Sequence, residues 1–344
     1  MRTLKALIPT FLQLTPHRKI VGLLTSSETE SASSMNRGVI YAAGAYVCWG
    51  LLPVFWKLLQ HVDALEIDAL EIVAHWIIWS LVFAFILLTL VRRWSRIGVI
   101  WRDRRVLATF LTTGMLLTAN WFVYVWAVNA DHIVETSLGY FINPLINVLL
   151  GVLVLKERLR IGQGVAMSVA LAGVLYLTFQ YGSFPWIALI LACTFALYGL
   201  LRKTAPLDSL DGFTLETALL TPMMVIFLIY RELTVQTAFA HGDPLTWTLL
   251  IAAGPITAAP LLLFAAGARR VSLVTLGVLQ YIAPTLQFLI GVVVYGEPLT
   301  PSRLIGFALI WTALAIYTFD SLAHRRLTAA AVPSPSMRID ASCD

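Results

Sequence analysis

Two prolines stand 140 residues apart, Pro144 and Pro284, and three residues after each comes an amide side chain, Asn147 and Gln287. Both pairs sit inside long apolar runs. A proline within a helix removes one N–H, which should leave the carbonyl of Tyr140 or of Gln280 without its helical partner. In hydrocarbon such a carbonyl must turn to protein, water or a ligand. An amide there is disfavoured unless it is paired. The pattern reads either as the lining of a solute cavity or as two kinks repaired by neighbouring helices, and its recurrence favours the cavity. Asn143 lies one turn before Asn147. Asn120, Trp121, Tyr140, Tyr198, Gln280 and Tyr281 are further candidates. Their aromatic faces suit an amphipathic or cationic solute.

Three ionisable residues come closest to the centres of the apolar runs: Lys57, His75 and Glu135. Charges inside a membrane tend to be functional, so Glu135 or His75 could exchange a proton. Ordinary roles compete with that reading. Lys57 can snorkel to the headgroups, and Glu135 in a first helical turn meets a favourable dipole. Glu157, among Lys156, Arg158 and Arg160, reads as a salt-bridged structural residue. No Ser–His–Asp grouping, metal-spaced His/Cys set or phosphate loop stands out, so no enzyme, metal or cofactor is expected. Cys48, Cys193 and Cys343 have neither metal-site nor disulfide-framework spacing.

The elements that must carry these residues follow from composition. The 344 residues are 59% apolar and 12% charged, with a mean hydropathy of +0.81. A soluble domain carries roughly 25% charged residues, and a spanning helix needs about 20 mostly apolar ones. Ten runs qualify, at 38–59, 72–91, 106–127, 134–155, 162–180, 185–203, 213–230, 247–267, 273–295 and 302–320. Closed barrels also satisfy their backbone in lipid, but barrel strands alternate apolar and polar residues. The run Val82 to Val91 does not alternate. The fold class expected is an all-α polytopic membrane protein.

Of the 24 basic residues, 21 fall on one side of such an arrangement, including six arginines in 92–105; Lys57, Arg231 and Arg303 fall on the other. That asymmetry places both termini in the cytoplasm. The net charge of +5 sits in short clusters and forms no continuous basic face, which argues against nucleic acid. Residues 1–34 read as a disordered extension and 324–344 as a disordered cytoplasmic tail. Between them, 35–180 and 185–323 form two five-helix units.

The two units are related. At an offset of 140, Ile142, Pro144, Leu149, Gly151 and Glu157 match Ile282, Pro284, Leu289, Gly291 and Glu297. Each unit opens with an aromatic-Gly step, Trp49-Gly50 and Tyr198-Gly199. With five helices per unit, the second enters the membrane upside-down relative to the first. Inverted repeats of this kind are a hallmark of alternating-access transporters, with the substrate near the midplane. A membrane-embedded enzyme or a non-transporting regulator are the competing readings.

The stretch from Trp126 to Leu145, with Asn129, His132, Glu135, Tyr140, Asn143 and Pro144, resembles the RarD-type permeases. These are the chloramphenicol-sensitive branch of the EamA family, in the drug/metabolite transporter superfamily. Trp49-Gly50 with Pro53, His75 with Trp79-Ser80, and Gln280 to Thr285 are also similar, and the likeness spans about 35–326. It implies two inverted EamA repeats in a bacterial inner-membrane permease. Its partners would be the lipid bilayer and a small-molecule substrate, with possible proton coupling. Export down a gradient is the direction expected. One position departs: the family pattern has Arg after the helix-two histidine, where this chain has Trp76. If that Arg contacts an anionic group, the change alters specificity or weakens transport.

Overall fold

A computed structural model of the chain describes residues 34–52, 54–55, 69–94, 103–130, 132–234, 242–296 and 301–330. Among these residues there are helices and connecting turns and no strand. Helix α1 covers 34–52, with a further helical pair at 54–55. Then come α2 (Ala69–Leu90), α3 (Arg104–Asn129), α4 (Ile133–Leu153) and α5 (Ile161–Tyr181). The second half runs α6 (Trp186–Thr204), α7 (Ser209–Thr234), α8 (Pro244–Ala268), α9 (Leu273–Gln280), α10 (Ile282–Val293) and α11 (Pro301–Ala330). Nine spans among the described residues are long and apolar enough to cross a membrane, α9 and α10 together making one of them.

Several elements differ from the runs expected. The ninth run, 273–295, breaks at Tyr281, because Pro284 offers no N–H to Gln280 and the Tyr281 N–H turns back to the Val278 carbonyl at 3.3 Å. Pro144 leaves α4 unbroken. Helix α11 continues to Ala330, since Leu-Thr-Ala-Ala-Ala favours helix and Pro333 is the first residue that opposes it. The rest of the tail, residues 1–33, Lys57 and Glu297 lie outside the described residues.

Helix ends are fixed by short polar devices. Asp243 Oδ1 accepts from Thr246 N at 2.8 Å, with Pro244 at the first helical position. The Thr246 hydroxyl donates to the same carboxylate, and these bonds hold Asp243 below the usual carboxylate range. Ser272 Oγ accepts from Thr275 N at 3.0 Å. Gly182 ends α5 with φ 79°, the left-handed conformation a helix C-terminus favours.

The helices are apolar on both faces, because one meets protein and the other lipid. Ile86, Leu153, Phe179, Ile226, Leu233 and Val293 are exposed on the outside. Inside, small residues let backbones approach closely. A β-carbon at Gly267 would lie 2.9 Å from Ala42 N, and one at Gly277 only 2.7 Å from the Pro144 carbonyl. The second approach joins α9 to α4.

The packing has the two-fold character that the repeat implies. Helix α2 packs on α7, α4 on α9, and α5 on α11, so in these three pairs a helix meets its own counterpart. Cross pairs recur too: α2 with α8 answers α3 with α7. The contact of α4 with α6 is answered by α1 against α10, where a β-carbon at Gly50 would lie 2.8 Å from Leu286. Phe141 and Tyr281, exactly one repeat offset apart in sequence, touch each other, with the Tyr281 hydroxyl donating to the Phe141 carbonyl at 3.4 Å.

Candidate functional site

A cavity of about 70 Å³, opening into a wider mouth, lies where the two repeats meet. Its wall comes from five spans. Helix α1 supplies Tyr46, Trp49 and Leu52, and α3 supplies Asn120, Trp121 and Tyr124. Thr136, Gly139, Tyr140 and Asn143 come from α4, Leu191 and Phe195 from α6, and Gln280, Ala283, Pro284 and Gln287 from around the α9–α10 joint. Among these described residues there is no Asp, Glu, Lys, Arg or His. The wall offers aromatic faces and four amides.

Three of the four amides donate to main-chain carbonyls of the opposite repeat. Asn120 Nδ2 donates to the Leu191 carbonyl at 2.9 Å and to Thr194 Oγ1 at 2.8 Å. Asn143 Nδ2 donates to the Ala192 carbonyl at 3.2 Å, and Gln287 Nε2 to the Trp49 carbonyl at 3.1 Å. Asn147 lies behind the wall, fully buried, and its Nδ2 donates to Asn143 Oδ1 and Gln280 Oε1, each at 2.9 Å. One amide thus sets the orientation of two wall residues from different repeats.

Of the eleven residues singled out from sequence for the cavity, Asn120, Trp121, Tyr140, Asn143, Gln280, Pro284 and Gln287 lie on the wall. Pro144 packs against Gly277, and Asn147 stands behind Asn143. Tyr198 is buried, stacked on Phe264 at 6.0 Å, and Tyr281 belongs to an inner cluster with Phe141 and Phe307. Glu135 is 3% exposed, and its Oε1 accepts from Ile187 N at 2.8 Å, tying the start of α4 to the start of α6. His75 is buried in α2 and is not part of the wall.

Nine wall residues were missed, Tyr46, Trp49, Leu52, Leu191, Phe195 and Ala283 among them. The other three, Tyr124, Thr136 and Gly139, lie four or seven residues from Asn120 or Asn143, and helical phase from those two points to them. Trp76, at the departing position, is 5% exposed with its ring 5.8 Å from Trp121, directly behind the wall. An aromatic therefore backs the cavity there.

Apart from Gln280, which lies near the middle of its span, the wall residues lie at the middle or in the helix halves remote from the Arg-rich connections. The other halves are closed by contacts between repeats. Lys156 adopts φ 55° just past α4, and Glu157 N bonds the Gly151 carbonyl at 2.9 Å. This turn aims the Glu157 carboxylate at the start of α9, where it accepts from Leu273 N at 2.9 Å and Val274 N at 3.1 Å. Glu157 is thus a helix cap and not the salt-bridge partner expected among its basic neighbours; Arg160 pairs instead with Asp320 at 2.8 Å. Within the second repeat, Lys203 Nζ donates to the Val271 carbonyl and Arg269 Nη1 to the Ala205 carbonyl at 2.6 Å, bracing the same side. Glu157→Ala should destabilise by about 1 kcal/mol, the usual scale for a lost N-cap. Amide exchange at 273–276 in detergent should speed up while that of α2 stays as in the parent; unchanged protection at Leu273 and Val274 would refute the cap.

A cavity between two inverted five-helix repeats, with amides held across the interface, defines a membrane permease of the drug/metabolite transporter type. The profile of the EamA-like transporter family matches residues 36–179 and again 184–319, and the chain belongs to that family. It is 48% identical over 297 residues to "Uncharacterized transporter YojE" of Bacillus subtilis (strain 168), covering 84% of this chain and 96% of that protein. It is 41% identical over 298 residues to "Protein RarD" of Escherichia coli (strain K12), covering 86% and 99%. "Chloramphenicol-sensitive protein RarD" of Pseudomonas aeruginosa is 33% identical over 289 residues, covering 83% and 94%. A solved crystal structure aligns with TM-score 0.61 at 20% identity, over 82% of this chain and 97% of its own, a likeness of fold alone.

Proposed function

We propose that this chain is an inner-membrane permease that moves a small amphipathic metabolite by alternating access, exporting it down a gradient of protons or of the substrate itself. The observation that carries the reading is the cavity: uncharged, lined by aromatic rings and amides, and set between inverted repeats. With the basic connections in the cytoplasm, as the charge asymmetry favours, both termini are cytoplasmic and the cavity lies in the outward halves of the helices. The inward halves are the closed ones. Exchanging the packing of the two repeats would open the inward side, because each helix has a counterpart on which the same contacts can form.

The reading is tested by flux. Purified full-length protein in liposomes is offered a panel of amino acids and amphipathic aromatics, with and without an imposed pH gradient. Accumulation of one class is expected, and Gln287→Leu should cut it by roughly tenfold, about 1.4 kcal/mol of barrier, while leaving the protein folded. Silence across the panel from folded protein would favour the non-transporting reading.

A further inference from the structure

A buried ion pair lies apart from the cavity, on its closed side. Arg202 near the end of α6 is 1% exposed and Glu216 in α7 is 2% exposed. Arg202 Nη1 stands 3.4 Å from Glu216 Oε1, and Thr113 of α3 donates to the same oxygen at 2.5 Å. Arg202 Nη2 donates to the Ser209 carbonyl at 2.9 Å, and the guanidinium lies 5.4 Å from the centre of the Phe110 ring. The space for it is made by glycine: a β-carbon at Gly212 would collide with both Arg202 Nη1 and the Phe110 ring.

Two features set this pair apart from a structural rivet. Glu216 Oε2 is buried and has no hydrogen-bond partner among the described residues. A carboxylate served on one oxygen only, inside a membrane, is a group whose charged and neutral forms differ strongly in their surroundings. The second feature is position. The Tyr198 hydroxyl, also buried and without a bond among the described residues, lies within electrostatic range of both Glu216 and Arg202. Its ring is 5.9 Å from that of Phe195 on the cavity wall. The cavity wall is therefore one side chain away from the pair, and the pair joins α3, α6 and α7 where the closed side must part.

We propose that Glu216 is the site at which the coupling proton binds. Protonation neutralises the carboxylate, releases Arg202 and loosens α7 from α3 and α6, so that proton binding and opening of the basic-loop side are linked. The inference rests on the transport reading above. Among the described residues, the ionisable groups that interact electrostatically with Glu216 are Arg202 and Tyr198, both from α6. Helix α3 brings the Thr113 hydroxyl, and Asp211 lies on α7 itself. Between Asp243 and Arg269, α8 carries no ionisable side chain, while Glu71 of α2 pairs with Arg231 at the far end of α7.

The test needs no transported compound. In full-length protein with Cys48, Cys193 and Cys343 replaced by alanine, Thr217→Cys places a thiol on the buried residue beside Glu216. In nanodiscs, its modification by a membrane-impermeant methanethiosulfonate is timed in mildly acidic and mildly alkaline buffer, relative to an exposed Ser183→Cys control. Acidification should raise the relative rate roughly tenfold. Adding Glu216→Gln should give the fast rate in both buffers, and Glu216→Asp should keep the pH dependence. A relative rate that ignores pH in the parent, or one that keeps its pH dependence in Glu216→Gln, overturns the proposal. Opening by protons without flux in liposomes would instead count against the transport reading and leave the proton site standing.

Discussion

Arg202→Met should destabilise the protein by about 3–5 kcal/mol, the scale of a buried pair that loses one partner. The reason is local. Glu216 is 2% exposed, so without Arg202 its charge has the Thr113 hydroxyl and little else. Methionine fills the slot between Phe110 and Gly212 at similar length, so the loss is electrostatic rather than a cavity. The double variant Arg202→Met/Glu216→Leu removes the stranded charge and should regain most of the stability. Acidic buffer should also shrink the penalty of the single variant, since a protonated carboxyl leaves no buried charge. Unfolding by SDS in mixed micelles reads all three. A single variant as stable as the parent would mean that the pair contributes nothing, and with it the basis for its role in coupling would weaken.

The second large effect is expected at Asn147. Leucine there has a similar shape but no donor, so Asn143 Oδ1 and Gln280 Oε1 both lose their bond. Each acceptor left unserved in the interior costs about 1–3 kcal/mol. Both of those amides are on the cavity wall, so the loss also frees their orientation. Flux of whichever compound the liposomes accumulate should fall by roughly a hundredfold, about 2.7 kcal/mol, more than for Gln287→Leu, which disturbs one wall residue. Asn147→Leu with parental flux would show that the wall amides need no such anchor.

Much of this molecule can be read along the chain. Spanning helices follow from composition because lipid offers the backbone no hydrogen bonds. Inversion of the second unit follows from an odd helix count, and the matched Pro144 and Pro284 mark the helices that cross at the repeat interface. Seven of the wall residues carry side chains that stand out in hydrocarbon, and the amides among them are legible for that reason.

What escaped the sequence depends on which faces meet. Tyr124 and Phe195 look like ordinary lipid-facing aromatics until α3 and α6 are docked against α4. Trp76 reads as a missing charge, and only packing puts its ring behind Trp121. Glu157 is surrounded in sequence by cations, yet the left-handed turn at Lys156 swings it to the amides of α9. Arg202 counts as one more basic loop residue by position, and Glu216 as a stray charge in an apolar run. Periodicity cannot pair residues on different helices when both faces of every helix are apolar. Composition and repeat thus determined the class, the inverted halves and the amide-bearing helices. Only the tertiary structure decided which side the cavity occupies and which charges close the other, because those depend on contacts between helices far apart in the chain.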